Sequence, residues 1–160
     1  LNRLSSGNFL PGKNRKAGPY PVYGGNGVTG YHDEYFVNEP VVVIGRVGVY
    51  CGCVHVTQPK AWITDNALYV TECAKPVSLG YLGLALEGLC LNRLAKQGAQ
   101  PSVSQSAILE EEICFPNKEI QDAIVKALEA ERALVESNRK LMEIFEAKIK
   151  ARLDEIWGSA

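Results

Sequence analysis

The sequence predicts an α+β molecule: a β-rich mixed domain over residues 1–115, followed by a long coiled-coil helix over residues 116–160. Three observations carry that expectation. Residues 1–40 are rich in Gly, Pro, Asn and Tyr, with prolines at 11, 19, 21 and 40, a composition of turns and short extended pieces. The stretch "VVVIGRVGVYCGCVHV" is β-branched and apolar. From Asn117 onward nothing breaks a helical pattern until Gly158.

Taken in order, Gly45, Gly48 and Gly52 punctuate the β-branched stretch, which favours a hairpin or bulges over one long strand. "ALYVTE" reads as a further short strand. Residues 79–97 are Leu-rich, with Ser78 at the N-cap position and Gly98 where a C′ glycine belongs, so a helix is expected there. "SAILEEEICF" reads as a strand returning to the sheet. In the tail, Leu128, Val135, Met142, Ile149 and Ile156 fall seven apart, flanked by Ile124, Leu134, Leu141, Phe145 and Leu153. A seven-residue repeat of this length marks a coiled-coil seam. Such a helix is ~60 Å long at 1.5 Å per residue, against a radius of gyration near ~13 Å for a domain of about a hundred residues. It needs a partner helix, and Glu131 and Asn138 on the same stripe would set its register.

Composition bounds the rest. Hydrophobic content of 46% and charge content of 22% are ordinary for a soluble globular chain. The longest apolar run is interrupted by Glu87 and Arg93 and is too short to span a bilayer. No secretory signal opens the chain, and a start at Leu rather than Met favours a fragment of something longer. Five cysteines without regular spacing fit a reducing cytoplasm better than a disulfide framework. Residues 1–109 carry nine Lys/Arg and six Asp/Glu, whereas residues 110–160 carry eight and twelve. The front is mildly cationic, which permits contact with a polyanion.

Three clusters invite chemistry. "GGNGVTG" contains G-x-G-x-x-G from Gly25, the nominal fingerprint of a dinucleotide loop. That fingerprint needs a buried strand before it and a helix after it. Here two prolines in "GPYPVY" spoil a central strand and "YHDEYFVNEP" does not read as a helix, so a glycine-rich turn is expected and no cofactor. Cys51, Cys53 and His55 suggest zinc, but no second pair completes a site, so buried thiols on one strand face are expected and no metal. With only His32 and His55 present, no base and orienting group mark a nucleophilic cysteine, and no catalytic residue is assigned. Finally, Tyr20, Tyr23, Tyr31, Tyr35, Tyr50 and Trp62 interleave with Lys13, Arg15, Lys16, Arg46 and Lys60. Cations that neutralise phosphates beside groups able to read base edges suit a nucleic-acid surface, while a core of aromatics under solvated charges remains the other reading.

"GKNRKAGPYPVYGGNGVTGYHDEY", "VVVIGRVGVYCGCVHV" and "WITDNALYV" together resemble the target-recognition domain of type I restriction-modification specificity subunits. "QPSVSQSAILEEEICFPNKEIQDAIVKALEAE" is similar to the junction where that domain feeds its long helix. Pro116-Asn117 and Ile120-Gln121 stand where the family has Pro-Pro and Glu-Gln, a partial match. The tail "LVESNRKLMEIFEAKIKARLDEIWG" resembles the end of adenine methyltransferases that carry such a module fused behind them.

The resemblance implies a non-catalytic module that reads one half-site of a bipartite duplex DNA target. Its long helix would pair antiparallel with that of a second recognition module, as a ruler between half-sites. An adenine methyltransferase subunit or domain would dock there, and a restriction/translocase subunit can join. S-adenosylmethionine and Mg/ATP would belong to those partners, and none to this chain, which lacks the Asn/Asp-Pro-Pro-Tyr/Phe motif of adenine methyltransferases. A complete specificity subunit has two such domains and two helices, so one of each implies a half-subunit that dimerises or a piece of a longer protein. The resemblance maps no base contact residue by residue. From residue chemistry, the expected DNA-facing pool is Lys13, Arg15, Lys16, Asn26, Tyr31, His32, Arg46, Lys60, Trp62 and Thr64, with Asn26, Tyr31 and His32 on an exposed loop beside Lys13–Lys16. The dimerisation helix would use Ile124, Leu128, Val135, Met142, Phe145, Ile149 and Ile156. The rival without DNA binding is a protein–protein adaptor, a β-rich head on a dimerising helix.

Overall fold

A computed structural model of the chain describes residues 1–96 and 98–158. In chain order the described elements are β1 (Arg3–Ser6), β2 (Tyr20–Gly24), β3 (Gly27–His32), β4 (Val42–Gly45), β5 (Val54–Val56), β6 (Trp62–Ile63), β7 (Ala67–Glu72), α1 (Leu79–Gly88), α2 (Gln105–Leu109) and α3 (Lys118–Trp157). This is the α+β arrangement expected, with sheets first and one long helix last. Two compact units result, Leu1–Gln121 and Asp122–Ala160, so the first turn of α3 belongs with the sheets.

The first unit holds a four-stranded antiparallel sheet in the order β1-β7-β4-β5 and a three-stranded sheet in the order β3-β2-β6. The chain passes between them in the three residues from Thr64 to Asn66. Val42, Val43 and Ile44 of β4 are all fully buried, because that strand is covered on both faces. Side chains alternate along a strand. Val42 and Ile44 therefore join Leu4, Leu68, Leu82 and Leu91 on one side, while Val43 joins Tyr23, Ala61 and Ile63 on the other. A strand buried on both faces needs a continuous apolar run. Each such side chain contributes about 1.5–3 kcal/mol of burial.

Several local signals act as the sequence predicts. β4 and β5 form the antiparallel hairpin, joined through the glycine-punctuated loop, and β7 spans "ALYVTE". Ser78 Oγ accepts from Tyr81 N at the start of α1, and Asn117 Oδ1 accepts from Ile120 N at the start of α3. Gln121 is 1% exposed. Its Oε1 accepts from Ser78 N at 3.0 Å and its Nε2 donates to Pro116 O at 2.9 Å, tying the first turn of α3 to the N-terminus of α1.

Four expectations need correction. α1 stops at Gly88, not near residue 97: Cys90 occupies the left-handed C′ position (φ 50°), and a 3-10 turn at Leu91–Leu94 then drops Leu91 into the core. Gly98 therefore does not close that helix. "SAILEEEICF" is not a returning strand. Ser104 Oγ caps the short helix α2 through Ala107 N, and its Ile108 packs into the core. The residues after α2 are held by side chains instead: Glu111 pairs with Arg93, and Tyr81 Oη donates to Cys114 O at 2.9 Å. Pro21 does not keep β2 from the centre of its sheet, because the parallel pairing with β6 involves only Val22 and Tyr23. Cys51, Cys53 and His55 do not share a strand face, since β5 begins at Val54 and both cysteines lie in the preceding turn.

Candidate nucleic-acid interface

The glycine-rich stretch forms the β2–β3 hairpin. Gly24 pairs with Gly27 across a two-residue connection, Gly25-Asn26, and β3 stands where a dinucleotide loop would open a helix. Gly27 has φ +80°, a conformation glycine adopts without a steric penalty. Close backbone approach explains another glycine. A Cβ at Gly45 would strike the carbonyl oxygens of Gly25 and Tyr50, and one at Gly25 would sit 3.5 Å from the carbonyls of Val47 and Asn66. Three connections thus converge at the hairpin tip: Gly25-Asn26, the loop after β4, and the turn from β6 to β7. Asn26 and Arg46 are exposed there. Arg46 N donates to Asn66 O at 2.9 Å, and Arg46 Nη1 donates to Ser6 Oγ at 3.2 Å.

At the open end of the hairpin a second group gathers. The segment carrying Lys13, Arg15 and Lys16 crosses one face of β3. Arg15 Nη1 donates to Thr29 O at 3.0 Å, and Lys16 N lies 3.2 Å from His32 Nδ1. A cleft of about 420 Å³ opens here, lined among others by Phe9, Lys13, Asn14, Lys16, His32 and Trp62. Trp62 Nε1 donates to Asn8 O at 3.2 Å, and its ring meets those of His32 and Phe36 edge-on at 5.3 Å. Lys13 and Lys16 are exposed and supply positive charge beside apolar and hydrogen-bonding surface.

The ten expected residues therefore divide among several places, and Asn26, Tyr31 and His32 do not share one exposed loop: Asn26 lies in the turn, whereas Tyr31 and His32 lie in β3. His32 is not exposed: it ends β3 at 4% accessibility, with Nδ1 3.0 Å from Asp33 Oδ1. Its place opposite Lys16 explains the burial. Tyr31 is 56% exposed but, by strand alternation, faces away from the Arg15 side. Thr64 is buried at the junction of the two sheets, with Oγ1 enclosed and without a partner among the described residues. Lys60 stands apart, its Nζ 5.9 Å over the Tyr35 ring. Phe9, 72% exposed at the cleft, and Val49, 85% exposed on the loop after β4, are surface residues the sequence reading passed over. Phe9 lies between Asn8 and the "PGKNRK" segment, and an apolar residue beside such a polar, basic run was the available signal.

His55 packs its ring against Gly27, and its Nε2 is enclosed without a partner among the described residues. Burial pushes its pKa below the ordinary value, partly countered by the Glu87 carboxylate. Among the described residues, no group of three His, Cys, Asp or Glu side chains is placed to hold a metal, and no helix is long and apolar enough to cross a membrane.

A family model for the type I restriction modification DNA specificity domain matches residues 4–150. The chain belongs to this family. The specificity domain is 29% identical over 110 residues to the type I restriction enzyme EcoprrI specificity subunit of Escherichia coli, a match covering 69% of this chain and 27% of that protein. It also shares its fold with the type I restriction-modification S subunit of M. genitalium, at a TM-score of 0.73 and 22% identity over 89% of this chain and 39% of that one. A chain from a structure on assembly and conformational transition of the type I R-M system gives 0.68 at 16% identity, covering 96% and 41%. The specificity domain thus spans well under half of each of these relatives.

Proposed function

We propose that this specificity domain reads one half-site of a bipartite duplex DNA target and directs an adenine methyltransferase, with an endonuclease subunit able to join, to that target. The family match over residues 4–150 is the observation that carries the reading. Within it, Lys13, Arg15 and Lys16 place three cations in four residues beside the cleft, and Arg46 and Asn26 supply donors at the hairpin tip. The domain performs no chemistry in this scheme. Methyl transfer and translocation, with S-adenosylmethionine and Mg/ATP, belong to the partners, and α3 pairs with the equivalent helix of a second recognition module in the reducing cytoplasm.

Charge reversal at Arg15, Lys16 and Arg46 together tests the reading. Duplex binding by the wild-type protein should fall log-linearly with salt, and the triple variant should lose it while helix-mediated association persists. A full-length assembly that shows no preference among duplexes at moderate salt overturns the proposal. It would leave the adaptor as the account of a β-rich head with exposed aromatics.

A further inference from the structure

Gly30 lies in β3 beneath the guanidinium of Arg15, and two features keep that position a glycine. Its φ is +149°, and a Cβ built there would come 2.7 Å from Arg15 Nη1 and 3.7 Å from Cζ. The guanidinium is laid on the backbone, with Nη1 donating to Thr29 O at 3.0 Å. Arg15 Nε is enclosed and has no acceptor among the described residues. A buried donor left unpaired costs about 1–3 kcal/mol, as much as a hydrogen bond from a charged group returns. Ordering a long side chain costs up to ~2 kcal/mol more. Fold stability alone therefore does not account for holding Arg15 in place. Arginine carries donors on three nitrogens, and the bond to Thr29 occupies Nη1 alone. Lys13 and Lys16 are exposed on either side of it.

We propose that Gly30 is a positioning residue that seats Arg15 as a fixed donor to a backbone phosphate of duplex DNA. The proposal rests on the DNA-recognition reading above. A preset guanidinium loses less freedom on binding than a mobile lysine and holds the protein in register on the duplex. A methyl group at residue 30 is accommodated most cheaply by swinging the end of the Arg15 side chain away, which breaks the bond to Thr29 and empties the seat.

A double-mutant cycle on the full chain tests this with a mixed-sequence duplex over a salt series, alongside thermal melting. Arg15→Ala should weaken binding roughly tenfold at low salt and reduce the log–log salt slope by about 0.9, the share of one phosphate. Gly30→Ala should reproduce most of that loss beside Arg15 and add nothing in the Arg15→Ala background, while its backbone strain lowers the melting temperature equally in both. Arg15→Lys should restore part of the slope and respond less to Gly30→Ala. Wild-type binding with a slope unmoved by Arg15→Ala, or a Gly30→Ala loss equal in both backgrounds, overturns the seat and leaves the DNA reading standing. A wild-type chain that binds no duplex overturns both.

Discussion

His55 shows how one side chain of the first sheet supports the turn of the second. Its ring lies 3.3 Å from where a Cβ on Gly27 would be, so a larger residue at 27 would push the hairpin tip off β5. Burial is the larger influence on its proton and holds the pKa below 6.5, with Glu87 pulling the other way. The unfolded chain therefore takes up that proton first as pH falls. His55's contribution to stability is full above pH 6.5 and declines as pH drops toward the folded-state value. Urea melts across this range should show the wild type losing stability on acidification, with a shallower loss in His55→Gln. Parallel slopes would assign the acid sensitivity elsewhere. The same scale separates residues that look alike in the sequence: His32 and Tyr31 are adjacent, yet one is buried against Lys16 and Asp33 while the other faces solvent.

Among the elements, the start of α3 is the joint on which the first unit closes. Asn117 caps the helix from within its own turn, a local interaction visible in the order of residues. Gln121 does more, since its amide satisfies Ser78 N and Pro116 O at once. Gln121→Ala should leave both groups unpaired where the buried amide stood and destabilise the first unit by roughly 2–4 kcal/mol. The check is denaturant unfolding of the full chain followed by Trp62 fluorescence. A change below about 0.5 kcal/mol, within the range of ordinary surface substitutions, would mean that water replaces the amide. α1 and α2 carry the complementary lesson. Both N-caps are serines, but only Ser78 is legible as a cap in the sequence, since Ser104 opens a segment that reads as a strand. The end of α1 depends on Cys90 accepting a left-handed conformation so that Leu91 can reach the core.

At the scale of the whole molecule, the second unit presents an apolar stripe with no covering partner among the described residues. Leu128, Val135, Met142, Phe145, Ile149 and Ile156 are exposed, whereas Ile124 is half-buried. A helix with an apolar seam at seven-residue spacing gains its stability from a partner. Val135→Asp with Met142→Asp should abolish self-association at concentrations where the wild type sediments as a larger species, leaving the unfolding of the first unit unchanged. Undiminished association would place the contact outside this stripe.

Patterns that act within a turn or along a face are complete in the sequence. The heptads of α3, the caps at Ser78 and Asn117, the short strand of β7 and the β-branched apolar run that holds β4 need only neighbours a few residues away. What lies over a residue from elsewhere in the chain is not written beside it. Burial of His32 and Thr64, the two-sided cover of Val43, the backbone contact that keeps Gly45 a glycine and the seat of Arg15 on Gly30 arise only when segments apart in the chain meet. Close packing sets these, because a carbonyl within contact distance excludes a methyl group whatever the local propensity. The family was therefore legible in the order of the segments, whereas the arrangement of its surface residues into a hairpin tip and a separate cleft was decided by the tertiary structure.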